Sequence, residues 1–159
     1  MLSEALESAQ SIPELFAVVK AAVASTAQRQ RNGLRVGFSE LGIGPWGFVG
    51  AYHPLGSDLI VMNKTLLRRV AEQEPSLFRH YAFNLLLHEY LHALGVVDEA
   101  AARVLASNIA LATLGEEHPA TAIADGFLHG GAAVNIPSHI EQIMPLDLPQ
   151  RIGWDGGSA

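Results

Sequence analysis

Apolar positions recur along this chain in two rhythms. Between residues 3 and 30, Leu6, Ile12, Leu15, Phe16, Val19, Ala22 and Val23 return at near-helical spacing. Pro13 interrupts that run, which predicts a short lead-in and then a helix from about Glu14. Over residues 34–41 the period shortens to two, with Leu34, Val36 and Phe38 on one side, and this reads as a strand. Gly42, Gly44 and Gly47 punctuate a turn, and residues 46–52 form a second strand candidate. Pro54 and Gly56 precede a short apolar strand over residues 58–62. A three-stranded meander is the simplest arrangement of these pieces.

Helical rhythm then returns. Asn63 is a good cap for a short helix over residues 64–72. Pro75 and Ser76 open a long apolar helix that runs to about Leu94, where Gly95 supplies the left-handed stop. Asp98 or Glu99 starts an alanine-rich helix ending near Gly115. After Asp125, Gly126, Gly130, Gly131, Pro137, Pro145 and Pro149 predict a loop-rich tail over residues 125–159. The expectation is a small α+β fold over residues 1–159 as a single domain: N-terminal helix, meander, active-site helix, further helix and irregular tail.

Composition narrows the chemistry. The chain has 159 residues, 49% of them hydrophobic, enough to bury a core in one domain. It has no cysteine, which removes disulfides, thiol nucleophiles and thiolate metal sites, and leaves imidazole and carboxylate as metal ligands. Sixteen acidic residues against ten basic ones give a net charge of −6, so no nucleic-acid partner is expected. No apolar run reaches the roughly 18 residues of a membrane span. The opening MLSEALESAQ lacks the basic head of a secretory signal, so a cytoplasmic location is expected.

The chemistry concentrates in Leu87-His88-Glu89-Tyr90-Leu91-His92-Ala93-Leu94-Gly95-Val96-Val97-Asp98-Glu99. Two histidines four apart on a helix share one face, so both imidazoles can reach one zinc ion. Glu89 projects beside them, where it can take a proton from water. Random ordering of the same residues yields H-E-x-x-H only about 0.02 times. If Gly95 turns the chain just past His92, Asp98 is the first choice as third ligand, although an Asp at that place also caps a helix well. Glu99 is next in line. Glu116, Glu117 and His118 lie a helix length away, on the order of 24 Å. His118, His129 and His139 can join only if the tail folds back.

The run from His88 to Asp98, H-E-x-x-H-x-x-G-x-x-D, resembles the extended signature of the metzincin clan of zinc metallopeptidases. The resemblance implies zinc held by His88, His92 and Asp98, with Glu89 as general base. Gln142-Ile143-Met144-Pro145 is similar to the clan's methionine turn, which makes Met144 a candidate support beneath the metal. It covers about 11 residues closely. A carboxylate on the helix that follows is also similar to the small gluzincins, which puts Glu99, Glu116 or Glu117 forward as third ligand.

Further candidates surround this core. The strand over residues 58–62 could offer an exposed edge to an extended peptide substrate. Tyr52 could donate to an oxyanion, Tyr90 less readily, and His53 could overhang the cleft from its turn. The runs Gln28-Arg29-Gln30-Arg31 and Leu66-Leu67-Arg68-Arg69 read as solvated helix surface. The expected function is a zinc metallopeptidase acting on peptides or proteins, with a segment of the tail from Asp125 onward expected to lie across the cleft. The alternatives are a non-catalytic zinc-stabilised module that binds a protein partner, and a metal-dependent endoribonuclease. The last rests on a ligand spacing similar to that of a bacterial rRNA-maturation family, from which Glu89 and Asp98 depart. Zinc suits two imidazoles and a carboxylate, while cobalt, nickel or manganese could also bind.

Overall fold

A computed structural model describes residues 1–44 and 47–128, and these form six α-helices and one three-stranded sheet. This is a small α+β fold. The N-terminal run divides near Pro13, as its sequence implies. Helix α1 (Leu2–Ser8) ends before Ser11, whose hydroxyl accepts from the Glu14 N–H and opens α2 (Ile12–Ala27). Pro13 lies in the first turn of α2, where a missing N–H breaks no helical bond.

The strands are β1 (Arg35–Ser39), β2 (Ala51–Tyr52) and β3 (Leu59–Asn63). Their order is β1-β3-β2, with β1 parallel to β3 and β2 antiparallel to it. The expected meander is therefore corrected in its connections. Asn63 gives the physical reason. Its side-chain amide donates to the carbonyls of Gly42 and Val49, and its Oδ1 accepts from the N–H groups of Leu41, Thr65 and Leu66. One buried side chain thus pins both ends of the crossing between β1 and β2 while capping the next helix.

This topology also overturns the exposed-edge expectation for residues 58–62. β3 is the central strand, paired on both sides, and all five of its residues are buried. A continuous apolar run such as Leu-Ile-Val-Met belongs in such a position, where both faces and both edges are covered.

Helix α3 (Lys64–Gln73) and a single 3-10 turn (Pro75–Leu77) lead into α4 (Phe78–Ala93). α4 is packed by α2, α5, α6 and the sheet, and thirteen of its sixteen residues are buried. Any polar group it carries inward must therefore find a partner. Helices α5 (Glu99–Leu114) and α6 (Pro119–Leu128) complete the described residues. No helix among them is long and apolar enough to cross a membrane.

The C-terminal end of α4 is held firmly. Gly95 adopts φ +107°, the Gly95 N–H reaches the His92 carbonyl, and the Val96 N–H reaches the Leu91 carbonyl. That pair of bonds is the Schellman closure. Arg29 and Arg31, expected on a solvated surface, instead donate to the carbonyls of Leu94 and Ala93. Arg31 also donates to the Ser57 carbonyl, and its backbone N–H donates to the Tyr90 hydroxyl. The open carbonyls and negative dipole end of a helix attract cations in this way.

Candidate metal centre

His88 and His92 lie one turn apart on α4, and the chain reversal after Gly95 brings the first residue of α5 back over them. His92 Nε2 stands 2.9 Å from Glu99 Oε1 and 3.1 Å from His88 Nε2. His88 Nε2 lies 3.0 Å from Glu99 Oε2. These three side chains can place ligand atoms within 4.8 Å of one another. Asp98 does other work: its Oδ2 accepts from the Ala101 N–H at 2.8 Å and caps α5. It lies outside the group, and the neighbouring Glu99 occupies the place beside the two imidazoles.

The protons show whether a metal fits. His92 Nδ1 is 2.7 Å from the Val96 carbonyl, which can only accept, so Nδ1 carries the hydrogen. Neutral His92 therefore turns the Nε2 lone pair toward the Glu99 carboxylate. Lone pairs facing each other at that distance repel unless a proton or a cation lies between them. Without a metal the proton takes this role. The Glu99 hydrogen bond raises the His92 pKa, burial opposes the rise, and the Val96 carbonyl and the Glu99 charge add to it. Burial alone would raise the Glu99 carboxyl. The hydrogen bonds and charges of His88 and His92 outweigh it and hold Glu99 well below the usual carboxylate range.

A zinc ion placed there would satisfy the same lone pairs. Tetrahedral ligands about 2 Å from zinc sit roughly 3.3 Å apart, so separations of 2.9–3.1 Å need open by only a few tenths of an ångström. The Val96 carbonyl is the outer partner that fixes the His92 tautomer for ligation.

A small, partly open cleft adjoins the group, lined by Leu85, His88, Glu89, Glu99, Arg103 and Phe127. Glu89 is buried there beside His88. Arg103, one turn along α5, donates from Nε to Glu99 Oε2 at 3.1 Å. Sequence reasoning missed Arg103, although its spacing of four from Glu99 on one helix was a readable signal.

Other candidates fall elsewhere. Tyr52 is buried in the core cluster, and neither it nor Tyr90 lines the cleft. His53 Nδ1 bonds the Leu59 carbonyl at 2.8 Å and ties its own turn. Glu116 and Glu117 occupy the turn after α5 and stay outside the group. The loop-rich tail expected over residues 125–159 is corrected at its start, since residues 125–128 continue α6; Met144, His129, His139 and the rest of that tail, 129–159, lie outside the described residues.

A second group, Glu7, His80 and His118, joins α1, α4 and the start of α6. His80 Nε2 lies 2.6 Å from Glu7 Oε2, and His118 Nε2 lies 3.0 Å from the same oxygen, at an angle too poor for a hydrogen bond. Here the tautomer argues against a metal. His118 Nδ1 accepts from the Ala120 N–H at 3.1 Å, so the hydrogen of neutral His118 is on Nε2, facing Glu7. The group ties α1 to α4 and to the start of α6 through the Glu7 carboxylate. Burial alone would raise the Glu7 carboxyl, but His80, and then His118, hold it below its ordinary value. Nothing in the local sequence signals this group, because its members are brought together only by packing.

No protein-family model matches the chain, and no curated protein or solved structure does so.

Proposed function

We propose that this protein is a zinc-dependent hydrolase of peptide bonds, with His88, His92 and Glu99 as ligands and Glu89 as general base. The observation that carries the proposal is the convergence of those three ligand atoms, with the His92 lone pair turned inward, beside a cleft that contains Glu89. Zinc when bound supplies Lewis acidity at the carbonyl under attack and makes nearby water more acidic.

The chain's own residues do the rest. Glu89 accepts a proton from the attacking water and passes it to the departing amine. The Val96 carbonyl keeps His92 in the ligating tautomer. Arg103 holds one oxygen of Glu99 and limits its rotation. Asp98 fixes the first turn of α5, and so the direction from which Glu99 approaches.

The second reading is a structural zinc ion that fastens α4 to α5 in a module that binds another protein. The small cleft and the central position of β3 favour it, since neither offers room for a long extended peptide. Glu89→Gln separates the two. A hydrolase loses turnover while zinc content and melting temperature stay near wild type, whereas a staple has no turnover to lose. Zinc stoichiometry, and hydrolysis of a mixed peptide library by wild type and Glu89→Gln, test the proposal together.

A further inference from the structure

We infer that Arg103 makes the cleft a receptor for a free carboxylate, and that the substrate is the C-terminal end of a short peptide. This rests on the hydrolase reading above and adds the substrate class. Arg103 has five N–H donors, of which only Nε is engaged, by Glu99; both terminal nitrogens have no hydrogen-bond partner among the described residues. Its side chain as a whole is 21% exposed, and two of its three nitrogens have no acceptor among the described residues. Such a group is unfavourable to bury unless an anion completes it. Two parallel N–H groups on a planar fork match a carboxylate in geometry and in charge.

The surroundings point to a chain end over an internal segment. β3, the strand that could have taken an added peptide strand, is paired on both edges. Leu85 and Phe127 line the cleft together with Arg103, so the apolar part of a terminal residue would lie against these two side chains. Glu89 and two of the ligands, His88 and Glu99, line the same cleft, so a carboxylate held by Arg103 would bring the last peptide bond near them. Water then adds across that bond: the hydroxyl joins the acyl carbon, the proton goes to the amine, and the terminal amino acid leaves.

The test is binding, measured by calorimetry on the Glu89→Gln protein with and without one equivalent of zinc. Three probes are compared: acetyl-Phe-Leu with a free carboxylate, its C-terminal amide, and acetyl-Phe-Glu amide, which carries a carboxylate only on its side chain. The free acid is expected to bind at least tenfold more tightly than either amide. Adding Arg103→Gln should remove the preference, and Arg103→Lys should retain part of it. Zinc content is measured for each variant. Equal binding of acid and amide, or no binding of the acid, overturns the inference, and tight binding of the Glu amide overturns the terminal assignment. Hydrolysis of C-terminally amidated peptides by wild type would then keep the hydrolase reading while this inference falls. Should Arg103→Gln fail to fold, the acid and amide comparison still decides.

Discussion

His92 Nε2 and Glu99 Oε1 face each other at 2.9 Å across the junction of α4 and α5, and the hydrogen of neutral His92 lies on the opposite side of its ring, bound to Val96. The pair therefore requires a positive species between its members. A proton can meet that need in the metal-free chain, and a divalent ion could do so with His88 Nε2 as a third ligand direction.

Exchange of ligands distinguishes Glu99 from Asp98. Glu99→Ala is expected to lose zinc, whereas Asp98→Ala keeps it and loses about 0.5–2 kcal/mol of stability as a removed helix cap. Atomic absorption and urea unfolding on both variants give the answer. If Asp98→Ala loses the zinc instead, the ligand assignment is wrong. One equivalent of zinc remaining in Glu99→Ala would point to the group formed by Glu7, His80 and His118.

The hydrolase reading predicts a fall in turnover of about 100-fold or more for Glu89→Gln, the range for losing a general base. Wild-type rates in that variant would remove Glu89 from the mechanism.

Zinc affinity should rise with pH. The ion displaces the proton on His92, whose pKa is raised above 6.5, so affinity weakens below it by up to about tenfold per pH unit for each proton displaced. Stability of the metal-free protein has the complementary form. The Glu99 contribution is present above 4.5 and is lost as pH falls through its depressed pKa. The His92 contribution is present below 6.5 and is lost as pH rises through its raised pKa. Melting temperatures across pH should peak between about 4.5 and about 6.5 for this pair, and zinc should abolish the decline on the alkaline side. A flat profile without zinc would show that the pair is not coupled.

Arg31→Ala is expected to cost about 1.5–3 kcal/mol, since two charge-assisted hydrogen bonds to the Ala93 and Ser57 carbonyls disappear. Urea unfolding measures it. A change within about 0.5 kcal/mol would return Arg31 to an ordinary surface residue.

Glu7→Gln should lower stability at neutral pH and leave zinc stoichiometry unchanged. Glu7 is held below 4.5, so its contribution is present above that pH and fades as acid protonates it. The difference in melting temperature between wild type and variant should therefore shrink toward low pH. A difference that persists in acid would assign the effect to packing.

Short-range features were legible in the sequence. The Pro13 break, the Asn63 cap, the Gly95 stop and the helix bearing His88, Glu89 and His92 each follow from interactions within a few residues, which one stretch of chain contains in full. β1 and β3 were legible as strands for the same reason, since their apolar runs are local, whereas the candidate over residues 46–52 is a strand only at Ala51–Tyr52.

Contacts between distant segments were decided only by the tertiary structure. Pairing β1 beside β3 required Asn63 to bind two segments at once, and no period along the chain encodes that. Arg29 and Arg31 look like solvated charges until the end of α4 presents its carbonyls to them. Spacing brought Asp98 and Glu99 equally near the histidines. The first turn of α5 separates them, because the N-cap side chain must turn back to the Ala101 N–H while the next residue projects from the helix toward His88 and His92. Residue types and local geometry belong to the sequence; which lone pairs meet is settled by how the helices pack.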